Sequence, residues 1–121
     1  MHDRLHDTDH DGWSDKVVEK STFRNSPIGL KFDGDKPDWS LLPWKQIETI
    51  VKVMDMGKKK YSRDNWQSVE DGKNRYSAAC MRHLTAYWSG EKIDPESGIS
   101  HLGHAMCCLL FMMWFEDNGK T

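Results

Sequence analysis

The segment Ala105–Phe115, AMCCLLFMMWF, constrains the fold more than any other part of the chain. It is apolar around the whole circumference of a helix, so several neighbours or a subunit interface must cover it. The reading places this helix at about residues 99–115 and looks for its partners upstream. Trp44, Ile47, Ile50, Val51 and Met54 recur at spacings of three and four, which predicts a helix opened by Ser40 or Pro43 and closed by Gly57 as C-cap. Lys58, Lys59 and Lys60 then follow, where cations complement the helix dipole. A further helix is expected at about residues 74–88, with Tyr76, Ala79, Cys80, His83, Leu84 and Tyr87 on one broad face and Gly90 as the stop. From Gly29 to Pro43, glycine, proline and aspartate interrupt the chain too often for a long regular element. The expected class is all-α: a small helical bundle behind a long N-terminal loop region.

At 121 residues the chain has room for one ordinary domain. Residues 1–25 are polar and follow neither a helical nor a strand period, so they read as a flexible arm, and 26–121 as a single helical domain. Within the arm, Asp7, Asp9, Asp11 and Gly12 match the opening of a calcium loop, but the position that should carry its bidentate glutamate is Val18. The arm therefore reads as a solvated acidic tail. No run approaches the ~18 apolar residues of a membrane span. A net charge of -2 and a pI near 6.3 provide no global field for a polyanion. These features predict no membrane and no nucleic-acid partner, and favour a small phosphorylated ligand held by a local cluster. Cys80, Cys107 and Cys108 form neither an even disulfide set nor a CxxC pair, and the N-terminus lacks the apolar core of a signal peptide. A reducing cytoplasm is the expected compartment.

Chemistry concentrates between Arg82 and His104, in RHLTAYWSGEKIDPESGISHLGH, where three histidines and three carboxylates surround one helix-turn-helix. His101 and His104 are three apart and share a helix face, as two ligands of one metal must. His83, Tyr87 and Glu91 follow at intervals of four and share a face if their helix reaches Glu91. Asp94 and Glu96 lie on the connecting turn, which can aim them back at the histidine pair. Imidazole and carboxylate together suit manganese, iron or zinc, whereas magnesium prefers oxygen ligands and retained water. The bland alternative makes His101 a helix cap, His104 a satisfied core histidine and the acids solvation of a turn. The density of polar candidates in an otherwise apolar region favours a metal or phosphate site.

Lys31, Lys36, Lys60, Arg75 and Arg82 fall near the ends of expected elements, where cations for a triphosphate can be held. Each alone is ordinarily a solubilising charge. Trp39, Trp66 and Trp88, with Tyr61 and Tyr87, offer aromatic surface on which a purine can stack, or else enlarge a small core.

Four collinear motifs carry a resemblance: GLKFDGDKPDWSLLP at Gly29–Pro43, MGKKKYSRDNW at Met56–Trp66, RYSAACMRHLTAYWSGEKIDPESG at Arg75–Gly98, and HLGHAMCCLLF at His101–Phe111. Together they resemble the phage dATP/dGTP diphosphohydrolases, described as MazG-like nucleotide pyrophosphohydrolases. The resemblance implies metal-dependent release of pyrophosphate from dGTP or dATP, which would control phage nucleotide pools in the host cytoplasm. It also implies a MazG-like all-α bundle working as a homodimer or homotetramer. Mg²⁺ or Mn²⁺ is the implied cofactor, with Zn²⁺ and Fe²⁺ left open. The usual MazG pattern places ExxE on one helix and ExxD on the next. Here the first helix holds only Glu48 and Asp55, seven apart, while HxxH stands near the place of ExxD and Glu91 and Asp94 form an ExxD in the turn. Magnesium ligands are therefore not transferred from MazG enzymes. The shared motifs give His83, Glu91, Asp94, Glu96, His101 and His104 as candidate metal ligands. Of these, His83, Glu91, Asp94 and Glu96 are also the candidate catalytic groups. Lys31, Lys36, Lys60 and Arg82 are candidate phosphate contacts, and Asp33, Tyr61, Asn65 and Trp66 complete the substrate set.

Two other readings use the same residues differently. A nucleotide sponge would need the pocket without turnover. A helical interaction module would respond to neither metal nor dGTP with a change in melting temperature.

Overall fold

The computed structural model describes residues 28–120. The acidic arm and its partial calcium motif lie outside the described residues. Two compact units divide between Trp39 and Ser40. In the first, the backbone N–H of Lys36 donates to the Asp33 carbonyl at 3.1 Å and closes a turn. The second is a small all-α bundle of α1 (Trp44–Lys60), α2 (Gly72–Trp88) and α3 (His101–Asp117), with a 3-10 turn at Asn65–Ser68. Among the described residues no strand forms. An isolated antiparallel bridge joins Ile93 to Ser100.

The helix boundaries correct the sequence reading at the end of α1 and the start of α3, and decide the condition it left open at Glu91. Gly57 lies inside α1, which runs on to Lys60. A glycine costs about 1 kcal/mol inside a helix but does not forbid it. Here Lys58 and Lys59 reach back to Asp55 at 3.3 and 3.8 Å, and the cations occupy the negative end of the dipole. The second helix ends at Trp88, so Glu91 is carried by the following loop and not by the helix face of His83 and Tyr87. The third begins at His101, because Ser100 takes the cap position, its Oγ accepting from the Leu102 N–H at 3.1 Å. His101 is thus not the cap.

The pairing of α2 with α3 is antiparallel. His83 meets His101, Cys80 meets the Ala105 carbonyl, Tyr76 meets Phe111, and Gly72 lies under Phe115, so one helix is read upward as the other is read downward. Ala105, Cys107, Cys108, Phe111 and Phe115 are buried on α3, and Cys80 on α2, with Tyr76, Ala79 and Leu84 packed around them. Small residues let the helices approach closely: a Cβ on Gly103 would lie 2.3 Å from the Thr49 methyl of α1. Trp66 stacks on Phe111 with ring centroids 4.0 Å apart and 7° between planes, and meets Trp114 edge-on at 5.0 Å. One face of Trp66 therefore belongs to the core. Burial pushes the thiol of Cys107 up to about 12 and that of Cys108 up to about 11, with each further raised by a neighbouring cysteine. Both are packing groups and not nucleophiles.

The expectation that α3 is covered all round meets a different picture within one chain. Leu102, Met106, Leu109, Leu110 and Met113 form an exposed apolar stripe on its outer side. Among the described residues, no helix is long and apolar enough to cross a membrane.

Because Gly103 sits against the β-branched Thr49, Gly103→Ala should lower stability by about 1–3 kcal/mol despite the better helix propensity of alanine. Thermal unfolding followed by circular dichroism checks this. An unchanged or raised Tm would show that α1 can move away at no cost.

Candidate metal centre and adjoining cleft

Three elements bring the polar cluster together. His83 comes from α2, while His101 and His104 come from the first turn of α3. The turn between the helices folds back through the Ile93–Ser100 bridge, in which Asp94 N–H donates to Ile99 O and His101 N–H to Lys92 O, both at 2.9 Å. Gly98, with φ of +74°, supplies the left-handed residue that closes this turn. Asp94 is thereby set over the start of α3. Its Oδ1 accepts from Glu96 N–H at 3.0 Å, and its Oδ2 lies 3.4 Å from both Ser97 Oγ and His104 Nε2.

Nδ1 of His83 lies 2.9 Å from Nδ1 of His101, and Nε2 of His101 lies 2.8 Å from Glu91 Oε1. One ligand atom each from His83, Asp94 and His101 can be chosen so that all lie within 4.8 Å of one another. His104 is stacked on His83, with ring centroids 4.5 Å apart and 9° between planes, and its Nε2 hydrogen-bonds Ser97 Oγ at 2.7 Å. His101 is 5% exposed and His104 8%, so both rings are held by packing as well as by hydrogen bonds. Burial lowers the pKa of His83, and the neighbouring His104 and His101 lower it further against the pull of Asp94. Burial also lowers that of His104, opposed by Asp94 and Glu96. The rings of His83 and His104 are accordingly biased toward the neutral form, the state in which imidazole nitrogen binds a metal. The donor set therefore fits a divalent cation.

Beside His104 opens a cleft of about 800 Å³ between the end of α1, the 3-10 turn and α2. Its volume suits a small-molecule site. Lys60, Tyr61, Asn65, Trp66 and Arg82, all expected as substrate contacts, line it together with Arg75. Lys60 also lies 3.6 Å from Glu96, an ion pair exposed to solvent on both sides and so weak. Lys31, Asp33 and Lys36 belong to the unit that ends at Trp39.

Residues 26–121 match the model of a family described as dATP/dGTP diphosphohydrolase, N-terminal. The chain belongs to this family. It is also 33% identical over 93 residues to a dATP/dGTP diphosphohydrolase of Salmonella phage PMBT28, a match that covers 77% of this chain and 31% of that relative. The chain thus spans about a third of the length of the relative. No solved structure matches it.

The six candidate ligands occupy distinct places. His83, Asp94 and His101 converge, Glu91 stands behind His101, and His104 leans on Ser97 and Asp94. Glu96 turns toward Lys60. Sequence reasoning missed Ser97, which contacts His104 and Asp94 and accepts from Ile99 N–H at 3.1 Å. Its signal was present as the small polar residue of the DPESG turn, whose hydroxyl is suited to bonds within a turn.

The depressed imidazoles set a pH dependence in the metal-free protein. Folded His83 and His104 bind protons less readily than the usual histidine near 6.5, so the unfolded chain carries more protons in the window just below that value. Stability therefore rises with pH through the window and is lost as pH falls. With chelator present, the urea midpoint should be lower at about pH 5.5 than at about pH 7.5, and the difference should shrink in His104→Gln. A midpoint unchanged between the two would contradict the lowered pKa of His83 and His104.

Proposed function

We propose that this chain carries the nucleotide-hydrolysing site of a purine deoxynucleoside triphosphate diphosphohydrolase, converting dGTP or dATP to the monophosphate and pyrophosphate. The observation that carries the reading is the convergence of two imidazoles and a carboxylate beside a cleft lined by Lys60, Arg75 and Arg82. The printed activity of the phage relative points the same way.

His83, His101 and Asp94 would hold a divalent cation, which supplies Lewis-acid charge to a phosphoryl oxygen and lowers the pKa of a water ligand. The chain's own residues do the rest. Lys60, Arg75 and Arg82 bind the phosphates and offset the charge that gathers on leaving pyrophosphate. Glu96, whose carboxylate pairs with Lys60 at the edge of the cleft, is assigned as the base that takes the proton of the attacking water. Once the triphosphate engages Lys60, the exposed ion pair releases that carboxylate. Tyr61, 63% exposed at the edge of the cleft, offers the purine an open aromatic face, while Trp66 gives its inner face to Phe111. His104 and Ser97 fix Asp94 from behind. In a reducing cytoplasm the three buried cysteines remain thiols. We read the physiological role as control of purine deoxynucleotide pools during phage infection, and the assembly as a homodimer or homotetramer that covers the α3 stripe.

Hydrolysis of dGTP in water labelled with heavy oxygen should place the label in dGMP and leave pyrophosphate unlabelled. Accumulation of dGDP with labelled phosphate would overturn attack at the α-phosphorus. His101→Ala should reduce turnover by about 100-fold or more with helical content intact, since loss of a ligand disables the site before the fold. Static light scattering at micromolar concentration reads the assembly, and a monomer would refute the homo-oligomer.

A further inference from the structure

We propose that the His83–His101–Asp94 cluster is a site for a first-row transition cation that magnesium does not load, with Glu91 positioning His101 from behind and not serving as a ligand. The inference rests on the metal centre of the proposed hydrolysis. Its test reads metal binding without nucleotide, so it stands or fails separately from turnover.

The argument begins with protons. Glu91 Oε1 lies 2.8 Å from His101 Nε2, and an ionised carboxylate is an acceptor only. Nε2 of His101 therefore carries the ring proton, which leaves its Nδ1 as a lone pair. That lone pair faces Nδ1 of His83 across 2.9 Å, so without metal the one proton between the rings belongs to His83. A cation at this point needs both lone pairs. His83 meets the need by tautomerisation, moving its single proton from Nδ1 to Nε2 with no change of charge. Two nitrogens each about 2.0–2.1 Å from one ion stand about 2.9 Å apart at an octahedral right angle and about 3.3 Å apart at the tetrahedral angle of zinc, so the rings need separate by less than about 0.5 Å while turning their lone pairs toward the ion. Asp94 provides the carboxylate, and its position is tied down by Glu96 N–H and Ser97 Oγ.

Two imidazoles and one carboxylate are a poor set for magnesium, which seeks oxygen ligands and gives up water reluctantly. The same set suits Mn²⁺, Fe²⁺ and Zn²⁺, with affinity rising toward zinc. The arrangement at Glu91 is that of a carboxylate behind a ligating histidine, which fixes both tautomer and ring orientation. Glu91 can act this way only because the loop after Trp88 carries it past the end of α2, with its N–H bonded to the Ala86 carbonyl at 3.0 Å.

The test is calorimetric titration of chelator-stripped full chain with Zn²⁺, Mn²⁺ and Mg²⁺ separately, with circular dichroism to confirm the fold of each variant. His2, His6 and His10 of the arm are further possible ligands, so the relevant equivalent is the one lost in His101→Ala. One such equivalent of Zn²⁺ and of Mn²⁺ per chain is expected, zinc the tighter, undisturbed by Mg²⁺ in about 100-fold excess over Mn²⁺. Glu91→Ala should weaken that equivalent by about 10- to 100-fold. Glu91→Gln, whose carbonyl still accepts from Nε2–H, should stay within about threefold of the wild type, well inside the loss of a full outer partner. Displacement by Mg²⁺, absence of the equivalent from the wild type, an unweakened Glu91→Ala, or a Glu91→Gln as weak as Glu91→Ala would each overturn the proposal.

Discussion

The packing of α3 onto α2 through small side chains is the constraint on which the site depends. Ala105 and Cys108 are buried on α3 and pack against the buried Cys80 of α2. None of these projects far from its backbone, so the helices lie close. Only at that separation can Nδ1 of His83 come within hydrogen-bonding distance of Nδ1 of His101. Larger residues in the same places would still make an apolar core, but they would move the rings out of reach of one another. Phe111 and Phe115, farther from the polar end, seat Trp66 and Tyr76, and Phe115 lies against Gly72 of α2.

At the polar end the same closeness creates an energetic problem, since buried imidazoles need partners. The loop between the helices solves it. Bridged at Ile93 and Ser100 and closed by Gly98, it returns Asp94 and Ser97 to His104, and it delivers Glu91 to His101. Fold and chemistry share these contacts: the groups that satisfy the rings for stability are those that orient their nitrogens. The cleft lies on the other side of His104, where cations from α1 and α2 gather. In the proposed function, a histidine–carboxylate pole set apart from a cationic wall suits a reaction that polarises one phosphorus and stabilises the leaving charge.

Some of this was legible in the residues. Three helices, the broad inner face of α2 and the confinement of chemistry to Arg82–His104 follow from period and composition, because an apolar spacing of three and four has few other uses. The HxxH pair and the acidic turn identified the cluster by residue type. The end of α1 was misread at Gly57, because helix propensity is a weak prior that dipole and ion-pair terms can outweigh. The role of Trp66 was open in the sequence, since stacking on Phe111 joins residues distant in the chain.

What the sequence by itself determined is the inventory: which helices form, and that imidazole, carboxylate and cations are available around one helix-turn-helix. Tertiary structure alone decided their roles. Glu91, Asp94 and Glu96 are chemically alike and close together in the chain, yet one backs a histidine, one faces the ligand nitrogens and one pairs with Lys60. That division arises because a turn sends successive side chains in different directions, set by the bridge at Ile93 and Ser100 and by the left-handed Gly98. Local period does not encode those directions. They depend on where α3 lies against α2, and so on contacts between residues far apart in the chain.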